Sequence, residues 1–299
     1  MSASPALGWV RHLRLPFNLL LAPIYLYGTA AGAVQAGVAR PLNDPAFWLA
    51  FASLHLFLYG GTTAFNSFYD RDEGPVGGML SPPPVDRGLL PFSLVVQAIG
   101  LALAVPVGGA FLGLWLLLFA VFTAYSHPSV RLKARPGVAM ATIAIGQGGL
   151  AFALGWTVFA PAGALAAAAP LARMALTASI VTGLYVVTQS YQVEEDRARG
   201  DRTLPVVLGP ARALRWAAVV LAPGGAMLAV DLARWAGTPV AVLAAVGTAA
   251  LATTLLAWSR RVEALDTRTN FRIAMGVSTA TGVATGLLLL VLLAGAIGR

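Results

Sequence analysis

The sequence predicts an all-α, polytopic membrane protein: a bundle of about nine transmembrane helices around a central cavity. Hydrophobic residues make up 58% of the 299 positions and charged residues only 11%, whereas an average soluble domain has about 25% charged residues. Apolar stretches of about 20 residues, the length that crosses a bilayer core, recur along the chain. We therefore interpret residues 1–299 as a single integral membrane domain.

The predicted spans are separated by breaks that carry glycine or proline, such as Gly108-Gly109 and Pro136-Gly137. The first span is interpreted as an uncleaved helix, because its apolar segment is long and contains Asn18 and Pro23. The nine spans, in order, are Pro16–Val38, Phe47–Phe65, Leu90–Val107, Gly109–Tyr125, Val138–Phe159, Leu171–Thr188, Ala213–Leu232, Val240–Trp258 and Ile273–Ile297.

The basic residues are divided unevenly among the segments that join these spans. With the N-terminus inside, sixteen of the twenty lie in inner segments, and the outer segments hold only Arg40, Arg173, Arg234 and Arg299. Cytosolic loops carry such an excess, so the N-terminus is predicted to be cytosolic and the protein to lie in the cell inner membrane. This topology also explains the net charge of +8. Nucleic-acid binding is not predicted, because no basic patch is interleaved with aromatic residues.

Composition excludes several other classes of protein. The chain contains no cysteine, which excludes a disulfide scaffold, an iron–sulfur protein and a thiolate zinc site. Its high apolar content excludes a disordered chain.

The acidic residues gather in two inner loops, one after the second predicted span and one after the sixth. Together these loops hold eight of the twelve carboxylates of the chain. The first loop contains Asp70, Asp72, Glu73 and Asp86, and the second contains Glu194, Glu195, Asp196 and Asp201.

Each acidic loop continues a polar stripe at helical spacing. Polar groups at membrane depth are costly against lipid, so both stripes are predicted to face one cavity whose mouth is lined by carboxylates. One stripe is Glu73, Asp70, Asn66, Thr62, Tyr59 and His55, and the other is Asp196, Gln192, Gln189, Tyr185 and Thr182.

Clustered carboxylates repel each other, and a divalent cation relieves that cost. Asp, Glu, Asn and Gln oxygens suit hard Mg²⁺, which is usually shared with substrate phosphates. The three histidines are scattered and do not form a ligand pair. The residues alone therefore indicate a Mg²⁺-diphosphate site at the cytosolic edge, with a hydrophobic tail held between the helices.

Basic residues accompany this site. Lys133 is the only lysine of the chain, and it suits a phosphate-facing point charge, although cytosolic topology explains it equally well. Arg71 and Arg202 adjoin the two acidic loops and are candidates to bind diphosphate oxygens.

Three segments resemble motifs of the UbiA superfamily of intramembrane prenyltransferases. Asn66-Ser67-Phe68-Tyr69-Asp70-Arg71-Asp72 resembles its first Asp-rich motif, and Glu194-Glu195-Asp196 through Thr203-Leu204-Pro205 resembles the second. Tyr125-Ser126 through Arg131-Leu132-Lys133 is similar to the loop between helices 4 and 5. The motif order and the helix count agree over the whole chain.

The resemblance implies that a prenyl diphosphate, bound through Mg²⁺, ionises to an allylic cation that a lipophilic or aromatic acceptor traps. Asp70, Asp196 and Lys133 are the implied catalytic residues. The implied metal ligands are Asn66, Asp70, Glu73, Glu195 and Asp196, and the implied substrate-binding residues are Asn66, Arg71, Arg131, Arg202, Tyr125 and Gln192.

Two positions depart from the family pattern. The acid usual four residues after Asp70 is Gly74 here, and Glu73 is a candidate replacement. The position four residues before Asp196, where the family usually has an acid, is Gln192 here, with Glu194 and Glu195 nearby. We interpret the chain as a divergent branch whose acceptor cannot be copied from other members.

The alternatives are a membrane terpene cyclase, which ionises the same diphosphate without an acceptor, and a non-catalytic transporter or lipid-binding protein of the same fold. Aromatic acids, quinone precursors, a tetrapyrrole ester and glycerol-phosphate lipids all remain open as acceptors.

Overall fold

The computed structural model describes residues 5–295, and its regular structure is helical, which confirms the predicted all-α class. Short π-helical segments, Ala52–Leu58 and Ala144–Leu150, interrupt two of the long helices. The α-helices are α1 (Pro5–His12), α2 (Leu15–Leu19), α3 (Ala22–Ala36), α4 (Pro45–Phe51), α5 (Tyr59–Asp70), α6 (Leu89–Ala104), α7 (Gly109–Ser126), α8 (Pro136–Ile143), α9 (Ala151–Trp156), α10 (Ala168–Gln189), α11 (Val193–Arg199), α12 (Leu204–Leu208), α13 (Pro210–Trp235), α14 (Thr238–Ser259) and α15 (Thr267–Ala294).

Seven helices of the described part are long and apolar enough to cross a membrane, or eight if a bent pair near the N-terminus forms one span. The polytopic fold is therefore confirmed, but the count of nine is not. The second predicted span lies in the helical run from α4 to α5, which is not among these helices because polar side chains lower its hydropathy. The last predicted span ends at Ile297, outside the described residues.

The first predicted span is bent. Ala6–Leu19 and Ala22–Ala36 meet at 51°, so the N-terminal helices are not collinear with α3. Arg14, in the left-handed conformation with φ 47°, separates α1 from α2.

Glycines allow α3 and α9 to approach closely. A Cβ atom at Gly28 would lie 2.1 Å from the Phe152 carbonyl oxygen, and one at Gly155 would lie 2.2 Å from the Tyr25 carbonyl oxygen. Such small residues are the usual means by which membrane helices bring their backbones together. This contact fixes α3 as one wall of the cavity described below.

Candidate functional site

The end of α5 holds the first acidic side chains in place. Arg71 adopts φ 50° and its N–H donates to the Ser67 carbonyl at 3.0 Å, so the helix ends at Asp70. A left-handed conformation is uncommon for a residue other than glycine, and such strain concentrates at functional sites. As a consequence Glu73 leaves the helix, and its predicted place on the polar stripe of α5 is wrong.

Lys133 binds two polar side chains of the first motif, Asn66 and Asp70. Its Nζ donates to Asp70 Oδ2 and, at 2.9 Å, to Asn66 Oδ1, which also accepts from Ser126 Oγ at 2.7 Å. Lys133 and Asp70 are both buried. Burial lowers the pKa of Lys133, and the carboxylate of Asp70 opposes that shift. The lysine therefore contacts the polar side chains of the first motif directly, in addition to lying in a basic loop.

Arg131 joins the first acidic segment to the second. Its guanidinium makes a bidentate pair with Asp201, at 2.9 and 3.0 Å, and its Nη1 lies 3.7 Å from Asp70 Oδ1. Like Arg71, it adopts a left-handed conformation, with φ 44°. The two acidic loops, far apart in sequence, thus meet around one arginine.

A second arginine, Arg199, makes another bridge between the two loops. Its Nη2 donates to Asp72 Oδ1 at 2.9 Å and to Glu195 Oε1 at 2.8 Å. The Glu73 N–H also donates to Glu195 Oε1, at 3.1 Å. On its other side, buried Asp72 lies 3.7 Å from Arg14 Nη2. Glu195 therefore reaches across to the first acidic segment.

Gly74, one of the two departures from the family pattern, lies against this carboxylate. A Cβ atom at Gly74 would be 2.6 Å from Glu195 Oε2, closer than real Cβ contacts are. The missing side chain on the first segment thus leaves room for an acid supplied by the second.

Asp196 lies in α11, a short helix that begins after a break at residues 190–192. Its buried carboxylate accepts a hydrogen bond from Thr203 Oγ1 at 3.0 Å. Burial raises the pKa of Asp196 to about 7, although the Thr203 bond opposes the shift. Because α10 ends at Gln189, the second polar stripe does not follow one continuous helix as predicted.

Three other predicted residues lie at the edge of this network. Arg71 and Glu73 line an open polar pocket of about 450 Å³ together with Asp70 and Glu195. Arg202 is exposed. Within the described residues, neither Arg71 nor Arg202 makes an ion pair.

Gln192 precedes α11, and its side chain makes no hydrogen bond in the part of the chain that the structure describes. The structure therefore does not bring Gln192 into the network of Asp70, Lys133 and Arg131.

A central cavity of about 250 Å³ opens beside Asn66. Three members of the first stripe face it, but His55 does not: its ring stacks on Phe51 with centroids 4.6 Å apart. The π-helical segment that contains His55 changes the register of the helix, which explains this error. The polar and aromatic lining includes Asn18, Tyr59, Thr62, Asn66, Phe122, Tyr125, Ser126, Gln147, Tyr185, Thr188, Thr281 and Thr285.

Tyr125 and Tyr185 meet at this cavity through their hydroxyl groups, and Gln189 Nε2 donates to Tyr185 OH at 2.8 Å. Of the second stripe, Tyr185 lines the cavity, whereas Thr182 and Gln189 are buried beside it. The two stripes therefore converge in part, through the aromatic residues nearest the acidic loops.

Sequence reasoning missed several residues of this arrangement. Arg14 and Arg199 were not among the predicted site residues, although both contact Asp72. Gln147 lies in the second π-helical segment and lines the central cavity, with no hydrogen bond among the described residues. The sequence signal for Gln147 was present: it is a polar residue inside the apolar fifth predicted span.

The donor chemistry fits a hard divalent cation. Asp70 Oδ1 and Asp72 Oδ2 are buried and accept no hydrogen bond from the described residues, and the neighbouring side chains offer carboxylate and amide oxygens of the kind Mg²⁺ prefers. Among residues 5–295, no three acidic or histidine side chains converge as a finished metal site. Lys133, Arg131 and Arg199 instead pair with these carboxylates.

Comparison with known proteins identifies the fold and the family. A sequence model of the UbiA prenyltransferase family matches residues 25–276. The chain is 34% identical over 204 residues to a digeranylgeranylglyceryl phosphate synthase of Halobacterium salinarum, a stretch that covers 64% of each chain. It is 31% identical over 190 residues to a digeranylgeranylglyceryl phosphate synthase of Natronomonas pharaonis, a stretch that covers 62% of this chain and 65% of the relative. The match thus spans less than two thirds of these relatives.

Two solved structures share the fold. A UbiA homolog from Archaeoglobus fulgidus bound to GPP and Mg²⁺ superposes with a TM-score of 0.65 at 21% identity, over 93% of this chain and 99% of that one. An apo UbiA homolog from Aeropyrum pernix K1 gives a TM-score of 0.58 at 18% identity, over 93% and 98% of the two chains.

Proposed function

This chain belongs to the UbiA prenyltransferase family, and from that premise we propose that it transfers a prenyl group from a prenyl diphosphate to an acceptor within the membrane. The observation that carries the proposal is the meeting of two acidic segments around Arg131 and Lys133 at the mouth of an apolar cavity. The charged network would bind the diphosphate head of the substrate, and the apolar cavity would bind its hydrocarbon tail.

The basic side chains would bind the diphosphate. Lys133 and Arg131 already point at Asp70, and both can exchange a carboxylate for a phosphate oxygen. Arg71 and Arg202 stand at the exposed edge, where they are free to approach a head group from the cytosolic side. Cations placed where the leaving diphosphate gains charge stabilise ionisation of the C–O bond.

We propose that the family's metal, Mg²⁺, is bound by Asn66, Asp70, Glu73, Glu195 and Asp196. When bound, the ion neutralises the charge that develops on the leaving diphosphate. Within the chain itself, Thr203 holds Asp196 and Arg199 holds Glu195 before the ion arrives.

The central cavity would protect the allylic cation until the acceptor attacks. Its lining is largely apolar, and Tyr59, Phe122, Tyr125 and Tyr185 supply aromatic faces and edges. Aromatic faces attract cations, and an apolar lining limits quenching of the cation by water. The curated relatives are named for a glyceryl phosphate product, so we place a glycerol-phosphate lipid first among the acceptors to test.

The direct test is incubation of purified protein with Mg²⁺, a series of prenyl diphosphates and a membrane lipid extract, with products read by mass spectrometry. We expect a prenylated lipid with the wild type and none with Asp70→Asn or Asp196→Asn. Glu263→Gln is the matched control, because Glu263 is an exposed acid that makes no side-chain hydrogen bond or ion pair among the described residues. Full activity of both site variants would contradict the proposal, and a cyclic hydrocarbon formed without acceptor would favour a terpene cyclase.

We also propose that the acidic loops face the cytosol, in the inner membrane. The absence of cysteine from the chain allows clean single-cysteine labelling. We expect Arg202→Cys to react with a membrane-impermeant thiol reagent only in inside-out vesicles, and Arg40→Cys only in right-side-out vesicles. The reverse pattern would contradict the orientation.

A further inference from the structure

Gln147 is a polar residue in the middle of a membrane-spanning helical segment, Pro136–Trp156. Its side chain lines the central cavity and makes no hydrogen bond to any residue that the structure describes. A polar group at membrane depth is costly unless it is paired, and an unpaired one indicates a functional role. The amide therefore needs a partner that the described part of the chain does not supply.

Glycines on both sides of Gln147 let its helix pack tightly against two neighbours. A Cβ atom at Gly146 would lie 2.9 Å from Phe122 Cε1 of α7, and one at Gly148 would lie 2.4 Å from Ala178 Cα of α10. Gln147 lies between these two contacts, in the second π-helical segment, and π-helical turns are frequent at functional sites. The packing on both sides leaves the cavity between α7 and α10 as the space that the amide faces.

Gln147 lies about one helical turn deeper in the cavity than the charged network. Phe122, which packs against the neighbouring Gly146, precedes Ser126 by four residues on α7, or about 6 Å along the helix. Ser126 Oγ in turn donates to Asn66 Oδ1 at the mouth of the cavity. The allylic carbon of a bound donor would lie next to its diphosphate, so an acceptor must bring its nucleophile to this depth.

The chemistry of the prenyl donor excludes it as the partner of this amide. Its polar group is the diphosphate, which we place at Lys133 and Arg131, and the rest of the molecule is hydrocarbon. A neighbouring helix is not the partner either, because Gln147 makes none of the hydrogen bonds by which polar residues join membrane helices. The acceptor is the remaining molecule of the reaction that can bind the amide.

The lining of the central cavity suits an uncharged polar group. Charged residues do not line it within residues 5–295, and an ionised group without a partner is costly in apolar surroundings. An amide can donate to and accept from a hydroxyl group, and it can donate to a carbonyl oxygen. Hydroxyl groups on one face of α15 add to this lining, and their side chains make no hydrogen bonds to described residues: Ser278, Thr281 and Thr285.

Resting on the proposed function, we propose that Gln147 binds the acceptor through an uncharged hydroxyl or carbonyl group on or next to the atom that is prenylated. Any charged group of the acceptor would stay at the mouth of the cavity, where Lys133 and Arg131 lie. Gln147 would then determine the affinity for the acceptor and leave the affinity for the donor unchanged. Acceptors that would bring a carboxylate or a phosphate to the depth of Gln147 are excluded.

The test compares two substitutions at Gln147 with one at a glutamine outside the cavity. Gln147→Met keeps the length of the side chain and removes its hydrogen bonds, whereas Gln147→Lys adds a cation. Gln35→Met is the matched control, because Gln35 is exposed and does not line the central cavity.

Each purified protein is incubated with Mg²⁺, geranylgeranyl diphosphate and increasing amounts of a membrane lipid extract. The prenylated product, read by mass spectrometry, gives the apparent KM for the acceptor. The Kd of the donor is measured separately, without extract, and the melting temperature reports on the fold.

We expect Gln147→Met to raise the apparent KM for the acceptor about fivefold, which is the effect of losing one hydrogen bond. The Kd of the donor and the melting temperature should not change. Gln147→Lys should raise the acceptor KM at least as much, because its cation finds no anion at this depth. Gln35→Met should match the wild type.

An unchanged acceptor KM in Gln147→Met would overturn the inference and leave the proposed function intact, as would equal weakening of acceptor and donor binding. A lower acceptor KM in Gln147→Lys would reveal an anionic group at this depth and would overturn it as well. If Gln147→Lys does not fold, the result for Gln147→Met decides. If the wild type forms no prenylated product, the proposed function itself fails, and this inference fails with it.

Discussion

Gly74→Ala should displace the Glu195 carboxylate and weaken Mg²⁺ binding while leaving the fold intact. The new Cβ atom would lie 2.6 Å from Glu195 Oε2, where ordinary contacts are 3.4 Å or longer. The carboxylate must therefore move by several tenths of an ångström. It is the far end of a flexible side chain, so the backbone need not shift.

The size of the effect follows from the bonds that Glu195 makes. Its Oε1 accepts from the Glu73 N–H at 3.1 Å and from Arg199 Nη2 at 2.8 Å. The pair with Arg199 is partly exposed, with side-chain exposures of 26% and 22%, so solvent screening reduces its contribution to about 1 kcal/mol. We expect the apparent affinity for Mg²⁺ to fall about fivefold, which corresponds to that energy.

The assay is a double-mutant cycle read by the Mg²⁺ concentration that half-maximally raises the thermal stability of the protein. Gly74→Ala should weaken Mg²⁺ binding in the wild type and have no effect in a Glu195→Ala background, because the displaced atom is then absent. The coupling between the two sites should be about 1 kcal/mol. Gly137→Ala, at an open glycine near the same end of the bundle, is the control. An equal loss of Mg²⁺ affinity in the wild-type and Glu195→Ala backgrounds would refute the explanation that Gly74 leaves room for the Glu195 carboxylate.

Three further variants test other contacts. Lys133→Met should lower the free energy of unfolding by about 3 kcal/mol, because buried Asp70 would keep only Arg131 at 3.7 Å, and should weaken binding of inorganic diphosphate. Asp231→Ala should also lower the free energy of unfolding by about 3 kcal/mol, because Arg173 loses its only ion pair among the described residues. The Mg²⁺ dependence of the activity should not change in this variant. Gln147→Leu should keep the stability, because the Gln147 side chain makes no hydrogen bond within the described residues. It should raise the KM of one substrate several-fold, because the hydrogen bond that the amide would make to that substrate, worth about 1 kcal/mol, is lost.

Denaturant unfolding in detergent, Mg²⁺ titration and steady-state kinetics measure these three effects. Unchanged stability of Lys133→Met would show that the Asp70 pair is already open to water. Altered Mg²⁺ dependence in Asp231→Ala would show coupling along α13 that the contacts do not explain. Unchanged KM values in Gln147→Leu would remove that amide from the substrate path.

The helical membrane fold was predictable because it follows from local apolar content. The approach of the two acidic segments was predictable as well, since a polar stripe inside a membrane must face a cavity or a partner. Tyr59, Asn66 and Tyr185 do line one cavity. These inferences required only the residue types and helical periodicity.

Other features depend on backbone conformations and contacts that local sequence does not signal. Arg71 takes a left-handed conformation usually left to glycine or asparagine, so the end of α5, and with it the position of Glu73, was misplaced. The π-helical register that turns His55 away from the cavity has no residue signature. The contact of Gly74 with Glu195 joins positions far apart in sequence and follows only from tertiary packing.

The central claim is that ionisation of a prenyl diphosphate is coupled to capture of the prenyl group by an acceptor. The measurement that tests it most directly is the ratio of released diphosphate to prenylated acceptor, followed over time with purified protein, Mg²⁺, geranylgeranyl diphosphate and a membrane lipid extract that supplies the acceptor. The account predicts equal amounts of the two products throughout, and neither product with Asp70→Asn. Release of diphosphate without an equal amount of prenylated acceptor would contradict it, as would binding of the donor with no release at all.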